Sequence, residues 1–103
     1  MVGSHEMGDV TQAAALLRAM SNESRLSVLC YLAEQERSVT ELEQYLDLSQ
    51  SALSQHLAVL RRQGLIRSRR DKRLVYYSVS SEQVTDVLQT LEAHYNCKSI
   101  ATD

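Results

Sequence analysis

The stretch LSQSALSQHLAVLRRQGLI, residues 48–66, carries the pattern that decides the fold. Leu53, Leu57 and Leu60 recur at helical spacing and form one apolar stripe, which predicts a helix from about residue 50 to residue 63. Gly64 follows directly, as is typical of a left-handed helix C-cap. Small polar side chains dominate the opposite side of this helix, which carries Ser51, Ser54, Gln55, Ala58 and Arg62.

Beyond Gly64 the period changes from helical to alternating. Residues 65–70 and 74–79 read as two short strands joined by a charged tip, which is a β-hairpin. Residues 80–95 return to a helical pattern, for which Ser80 and Gln83 offer a capping box, with apolar residues on one face: Val84, Val87, Leu88, Leu91 and Tyr95.

Three helices are predicted before residue 48. The first runs from about Val10 to Met20, and Ser21 is placed to cap the second, which carries a stripe made by Leu26, Leu29, Cys30 and Ala33. Ser38 and Glu41 have the spacing of a capping box and start a short third helix near Val39. The predicted fold class is therefore mainly α with a small β-hairpin wing: a winged helix-turn-helix of order α-α-α-α-β-β-α.

Length and composition limit the classes of protein. At 103 residues we expect one domain, over residues 10–97, between a disordered or vector-derived segment 1–9 and a tail 98–103. No stretch approaches the roughly 20 apolar residues that span a bilayer, and no signal-peptide pattern is present, so we expect a soluble cytosolic protein without a membrane partner. No phosphate loop, nucleophile elbow or metal-hydrolase spacing occurs, which predicts neither an enzyme nor a cofactor.

Positive charge is concentrated in one segment. Seven of the eleven basic residues lie between Arg61 and Arg73, although the net charge of the chain is −2. Such a cluster indicates a polyanion partner, with DNA or RNA the first choice, and the alternative is a solvated charge run. The position of the cluster, at the end of a polar-faced helix and on a hairpin, favours DNA.

The predicted helix and wing suggest how double-stranded DNA would be bound. Serine, glutamine and alanine side chains can enter a major groove without steric conflict, and glutamine can form two hydrogen bonds with an adenine edge. Basic side chains at the hairpin tip would meet phosphates or the minor groove. His56 lies at the edge of the apolar stripe, where a packed histidine is the alternative to a base contact. The predicted DNA contacts are Gln50, Ser51, Ser54, Gln55, His56, Arg62, Arg69, Arg70, Lys72 and Arg73.

The chain resembles the ArsR/SmtB family of bacterial transcriptional repressors. Residues 17–26, LRAMSNESRL, resemble the junction of the family's first two helices, and residues 48–66 resemble its DNA-reading helix and the exit into the wing. The resemblance implies a homodimer formed by the first and last helices, which binds imperfect palindromes in promoters and releases them when an inducer arrives. In such a dimer the two recognition helices would lie about 34 Å apart.

Two kinds of inducer remain open. Metal-sensing members carry cysteines on the third helix or Asp and His ligands on the last helix. Here the third helix has no sulfur, and His94 with Cys97 is a weak pair for a site that needs four ligands, so no metal site is assigned.

The two cysteines suggest the second kind of inducer. Residues 28–32, VLCYL, and residues 94–97, HYNC, resemble the two motifs of the subgroup that senses reactive sulfur or oxidants, which implies that Cys30 and Cys97 become bridged. A small core residue is the alternative for Cys30. A winged helix used only for protein contacts is the alternative for the whole chain.

Overall fold

The computed structural model describes residues 4–96 and confirms the winged helix-turn-helix. Within those residues it has five helices and one small antiparallel sheet. Their order along the chain is α1 (Ser4–Met20), α2 (Glu23–Glu34), β1 (Arg37–Ser38), α3 (Val39–Tyr45), α4 (Gln50–Arg62), β2 (Ile66–Asp71), β3 (Leu74–Val79) and α5 (Glu82–Tyr95). No helix in the described part of the chain is long and apolar enough to cross a membrane.

The sheet has one strand more than the sequence indicated. Its order is β1-β3-β2, so that the hairpin strand β3 lies in the centre and the two-residue β1 pairs with its outer side. Ser38 and Arg69 both lie opposite Tyr76, one on each neighbouring strand. A strand of two residues is too short to show alternation, which explains why the pattern did not predict it.

One predicted helix cap is confirmed, and a second helix has a cap that was not predicted. The Ser38 hydroxyl accepts a hydrogen bond from the Glu41 amide at 3.1 Å, and the Glu41 carboxylate accepts one from the Ser38 amide at 2.9 Å, which completes the predicted capping box of α3. Ser49 caps α4 by accepting from the Ala52 amide at 3.1 Å. The first turn of the predicted recognition helix is therefore fixed by its own sequence.

Two other predicted caps were wrong by one residue. Asn22, rather than Ser21, caps α2, because the Ser21 amide still donates to the Leu17 carbonyl and closes the last turn of α1. Ser81, rather than Ser80, caps α5. The amide of Ser80 donates to the Leu65 carbonyl, which ties that residue to the junction between α4 and the wing.

Helix α1 begins at Ser4, six residues earlier than the predicted start at Val10. Residues 4–9 are therefore helical in the structure, although they were predicted to be part of a disordered or vector-derived segment. At the other end the described chain stops at Asn96. The predicted tail and Cys97 lie outside the described residues.

Helix α2 runs through the middle of the core. Five consecutive residues, Val28 to Leu32, are buried, because α1, α4 and β3 all pack against this helix. The predicted one-sided stripe was therefore too narrow for α2, and Ala33 is exposed. For α4 the predicted stripe is confirmed, since Leu53, Leu57 and Leu60 are buried.

Gly64 allows the chain to leave α4 and enter the wing. It has φ +74°, and its amide donates to the Arg61 carbonyl at 2.9 Å. A β-carbon at this position would meet no atom within 4 Å. The loss of stability on replacing Gly64 with alanine would therefore come from the backbone conformation and not from a steric clash.

We expect Gly64→Ala to lower the free energy of unfolding by about 1 kcal/mol, because alanine is strained at positive φ. Urea denaturation followed by circular dichroism measures the change. Gly64→Asn is the control and should cost less, since asparagine tolerates the left-handed region. Equal stability of the alanine variant and the wild type would contradict the left-handed conformation of Gly64.

Candidate DNA interface and cysteine site

The outward face of α4 is polar and open. Its predicted base-reading residues are exposed: Gln50, Ser51, Ser54, Gln55 and Arg62, with Ala58 and Arg61 beside them. The first turn of α4 has no acidic residue, so nothing there opposes the positive end of the helix dipole. The face can approach a phosphate backbone, and the roles of its side chains as DNA contacts stay predictions.

His56 differs from its neighbours on α4. It is half-buried, and its Nδ1 atom lies 3.4 Å from the Nη1 atom of Arg25. Burial first, and the Arg25 charge second, lower the pKa of His56 below its ordinary value. Both observations favour the packed histidine over a free base contact.

Arg25 connects α1 to α4, a connection that the sequence did not indicate. Its Nε donates to the Ala19 carbonyl at 2.6 Å and its Nη2 to the Arg18 carbonyl at 3.2 Å, while Nη1 meets His56. Carbonyls in the last turn of a helix have no partner within the helix, so a guanidinium is well suited to them. No local pattern around Arg25 predicts its distant partners.

The outer end of the wing carries a group of exposed basic residues. Strand β2 continues to Asp71, and Lys72 takes a left-handed conformation with φ 61° in the turn that follows. Arg70, Lys72 and Arg73 are exposed, and the structure gives none of these three an ion pair or a side-chain hydrogen bond within residues 4–96. These side chains can donate hydrogen bonds to phosphates without giving up a contact within the described part of the protein.

Arg69 is not at the tip, where the sequence placed it. It lies inside β2, and its Nε and Nη2 atoms donate to the two carboxylate oxygens of Glu36 at 2.8 and 2.7 Å. This hydrogen bonding lowers the pKa of Glu36 and raises that of Arg69. Strand β2 runs to Asp71, so Arg69 and Arg70 both lie in the strand, and of the basic residues predicted at the tip only Lys72 and Arg73 lie in the turn.

Cys30 lies where α2 faces α5. Its residue surface is 4% exposed, and it lines a cavity of about 320 Å³. The other lining residues come from the same two helices: Ala33, Glu34, Thr85, Leu88, Gln89 and Glu92. The sulfur of Cys30 is disulfide-bonded in this structure.

The described part of the chain contains no group of three or more His, Cys, Asp or Glu side chains placed to hold a metal ion. His94 is on α5, but Cys97, its proposed companion in the metal alternative, lies outside the described residues.

The lowered pKa of His56 predicts how stability depends on pH. At mildly acidic pH the folded protein binds fewer protons at His56 than the unfolded chain, whose histidine titrates near 6.5. The stability that neutral His56 contributes is fully present above pH 6.5 and is lost as pH falls through the lowered pKa of the folded state.

Urea denaturation at pH 7.5 and at pH 5 should therefore show a larger acid-induced loss in the wild type than in His56→Gln. His94→Gln is the control and should keep the wild-type loss, because His94 is exposed near the end of α5. If the acid-induced loss of stability were the same in the wild type and in His56→Gln, His56 would not be its cause.

Comparison with known proteins agrees with the fold. Residues 22–68 match the model of the family described as bacterial regulatory protein, arsR family. The transcriptional activator HlyU of Vibrio cholerae is 50% identical over 84 residues, which cover 82% of this chain and 78% of that protein.

Solved structures agree with the sequence match. The structure of reduced HlyU from Vibrio cholerae superposes with a TM-score of 0.85 at 45% identity and covers 90% of this chain and 98% of its own. The transcriptional repressor BigR from Xylella fastidiosa superposes with a TM-score of 0.81 at 32% identity and covers 91% and 97%. The relative YgaV of Escherichia coli, 47% identical over 85 residues, is likewise named as a transcriptional regulator. The chain belongs to the ArsR family of transcriptional regulators, whose members bind DNA and act as dimers.

Proposed function

We propose that this regulator is a homodimeric repressor that senses reactive sulfur species or oxidants through Cys30 and Cys97 and releases its operator when the two are bridged. The observation that carries the proposal is the position of Cys30. It lies on α2 beside a cavity shared with α5, and α5 ends at Tyr95, two residues before Cys97.

Exposed apolar side chains support a dimer built from α1 and α5. Three of the five exposed large hydrophobic residues in the described chain lie on these two helices. They are Val10 and Leu17, at 50% and 55% exposure on α1, and Tyr95, at 77% on α5. Single exposed apolar residues are common, but on both helices that the family uses for dimerisation they are suited to a partner copy.

A bridge between the cysteines would act on the dimer through α5. One cysteine thiolate attacks a sulfur of an incoming persulfide or disulfide and expels a thiolate or hydrosulfide, which leaves a persulfide or a mixed disulfide on that cysteine. The second cysteine thiolate attacks the protein sulfur of this intermediate, forms the Cys30–Cys97 bond and expels the remaining hydrosulfide or thiolate. The bridge would fix the end of α5 to α2. Since α5 is also the proposed dimer helix, the bridge would change the distance between the two α4 helices of the dimer. A coupling free energy of about 1–3 kcal/mol would lower the affinity for DNA several-fold or more.

Mass and DNA binding test this mechanism together. Reduced protein is treated with glutathione persulfide, its intact mass is measured without reductant, and binding to a duplex selected by the protein from a random library is followed by gel shift. We expect a mass change that matches a Cys30–Cys97 bridge, with loss of binding. Cys30→Ser and Cys97→Ser should each bind DNA and fail to release it. A Cys30→Ser protein that still releases would contradict the mechanism.

The face of α4 provides a separate test of sequence reading. We expect Gln55→Ala to weaken binding to the selected operator by about 1–3 kcal/mol while leaving non-specific binding unchanged, because a lost base contact affects only specific complexes. Anisotropy titrations with operator and random duplexes measure both. Gln89→Ala, a change of the same side chain on α5, should alter neither affinity. Equal weakening on both duplexes would assign Gln55 to the phosphate backbone instead.

A further inference from the structure

We propose that Arg69 positions the wing and is not one of its DNA contacts, and that Glu36 is the residue that holds it. The inference rests on the proposed function, a DNA-binding repressor, and on the predicted contact between the tip of the wing and DNA. It starts from the two short hydrogen bonds, 2.8 and 2.7 Å, that join one edge of the Arg69 guanidinium to both carboxylate oxygens of Glu36. A paired contact of this kind fixes the direction of both side chains as well as their distance.

The contact spans the whole width of the sheet. Arg69 starts on β2, and its guanidinium carbon lies 4.5 Å from the centre of the Tyr76 ring on β3. Glu36 directly precedes β1 on the far side of β3. One side chain therefore ties the outer hairpin strand to the opposite edge, with a cation–π contact at its middle.

The end that Glu36 supplies is firmly held. The next residue, Arg37, is buried, donates to the Glu34 carboxylate at 2.6 Å and lies over the rings of Tyr31 and Tyr45. Ser38 follows and caps α3. Arg69 thus connects the wing to the segment that also begins α3.

The other end needs such support. β2 is an edge strand, and after Ile66 its side chains are exposed except for half-buried Ser68. Apolar packing therefore does little to fix the outer part of the hairpin. The contact at Arg69 lies two residues before the end of β2, close enough to set the direction of the tip.

A rival interpretation makes the opposite prediction. If Glu36 only occupied the place of a phosphate, its removal would free Arg69 to contact DNA. It would also remove one negative charge from the wing, and the affinity for DNA would rise. If Arg69 positions the wing, removing Glu36 lowers affinity despite the more favourable charge. The sign of the change separates the two.

The experiment is a set of anisotropy titrations on the selected operator at several salt concentrations. We expect Glu36→Ala and Arg69→Ala each to weaken binding about two- to fivefold, the range set by an exposed ion pair. The double variant should be no weaker than the weaker single variant. The exchange Glu36→Arg with Arg69→Glu should recover most of the affinity.

The salt dependence distinguishes positioning from contact. The slope of log affinity against log salt should stay at the wild-type value in Glu36→Ala and Arg69→Ala, whereas loss of a phosphate contact in the control Arg73→Ala should reduce it by about 0.9. Circular dichroism melts confirm that each variant is folded at the titration temperature.

Three results would overturn the inference: tighter binding by Glu36→Ala, a slope reduced by about 0.9 in Arg69→Ala, or wild-type affinity in both single variants. An unchanged slope in Arg73→Ala would overturn the wing contact itself, and the positioning role with it. The response of the wild type to glutathione persulfide is read separately, so failure of the sulfur mechanism is distinguishable from failure here.

Discussion

The packing of one leucine stripe fixes the rest of the arrangement. Leu53 and Leu60 have no exposed surface and Leu57 has 3%, so α4 can turn only one side toward the protein. Burial of each such side chain stabilises the fold by about 1.5–3 kcal/mol, far more than any single exposed polar contact on this chain contributes. The polar side of α4 is therefore presented outward by the core, without any contribution from the polar residues themselves.

Some elements could be predicted because their signals are local. The leucine stripe of α4, the capping box of Ser38 and Glu41, and the left-handed Gly64 each lie within a few residues of the structure that they specify. Strand β1 could not be predicted, because its pairing with β3 joins residues about forty positions apart. The misplaced caps show a different limit: adjacent Ser21 and Asn22, like Ser80 and Ser81, are both competent caps, and the end of the preceding element decides between them.

The candidate DNA interface likewise has features that local sequence predicts and features that depend on distant residues. The positions of the basic residues in the sequence located the basic segment. The polar side chains of α4 and the basic side chains at the wing tip are exposed, as the sequence pattern predicted. Charge counting could not distinguish Arg69 from Arg70, which are neighbours with the same charge. Their difference depends on Glu36, which is 33 residues away from Arg69 along the chain. His56 likewise has a distant partner, because its ring contacts Arg25, which is 31 residues away along the chain.

The three contacts of Arg25 have a thermodynamic consequence. One guanidinium holds the last carbonyls of α1, a proposed dimer helix, and touches His56 on the helix proposed to enter the groove. A displacement of α4 would therefore affect the end of α1 through Arg25. By thermodynamic linkage, the coupling free energy between the two helices is the same in both directions. In the proposed repressor, Arg25 would therefore couple binding of DNA at α4 to association of the two subunits at α1.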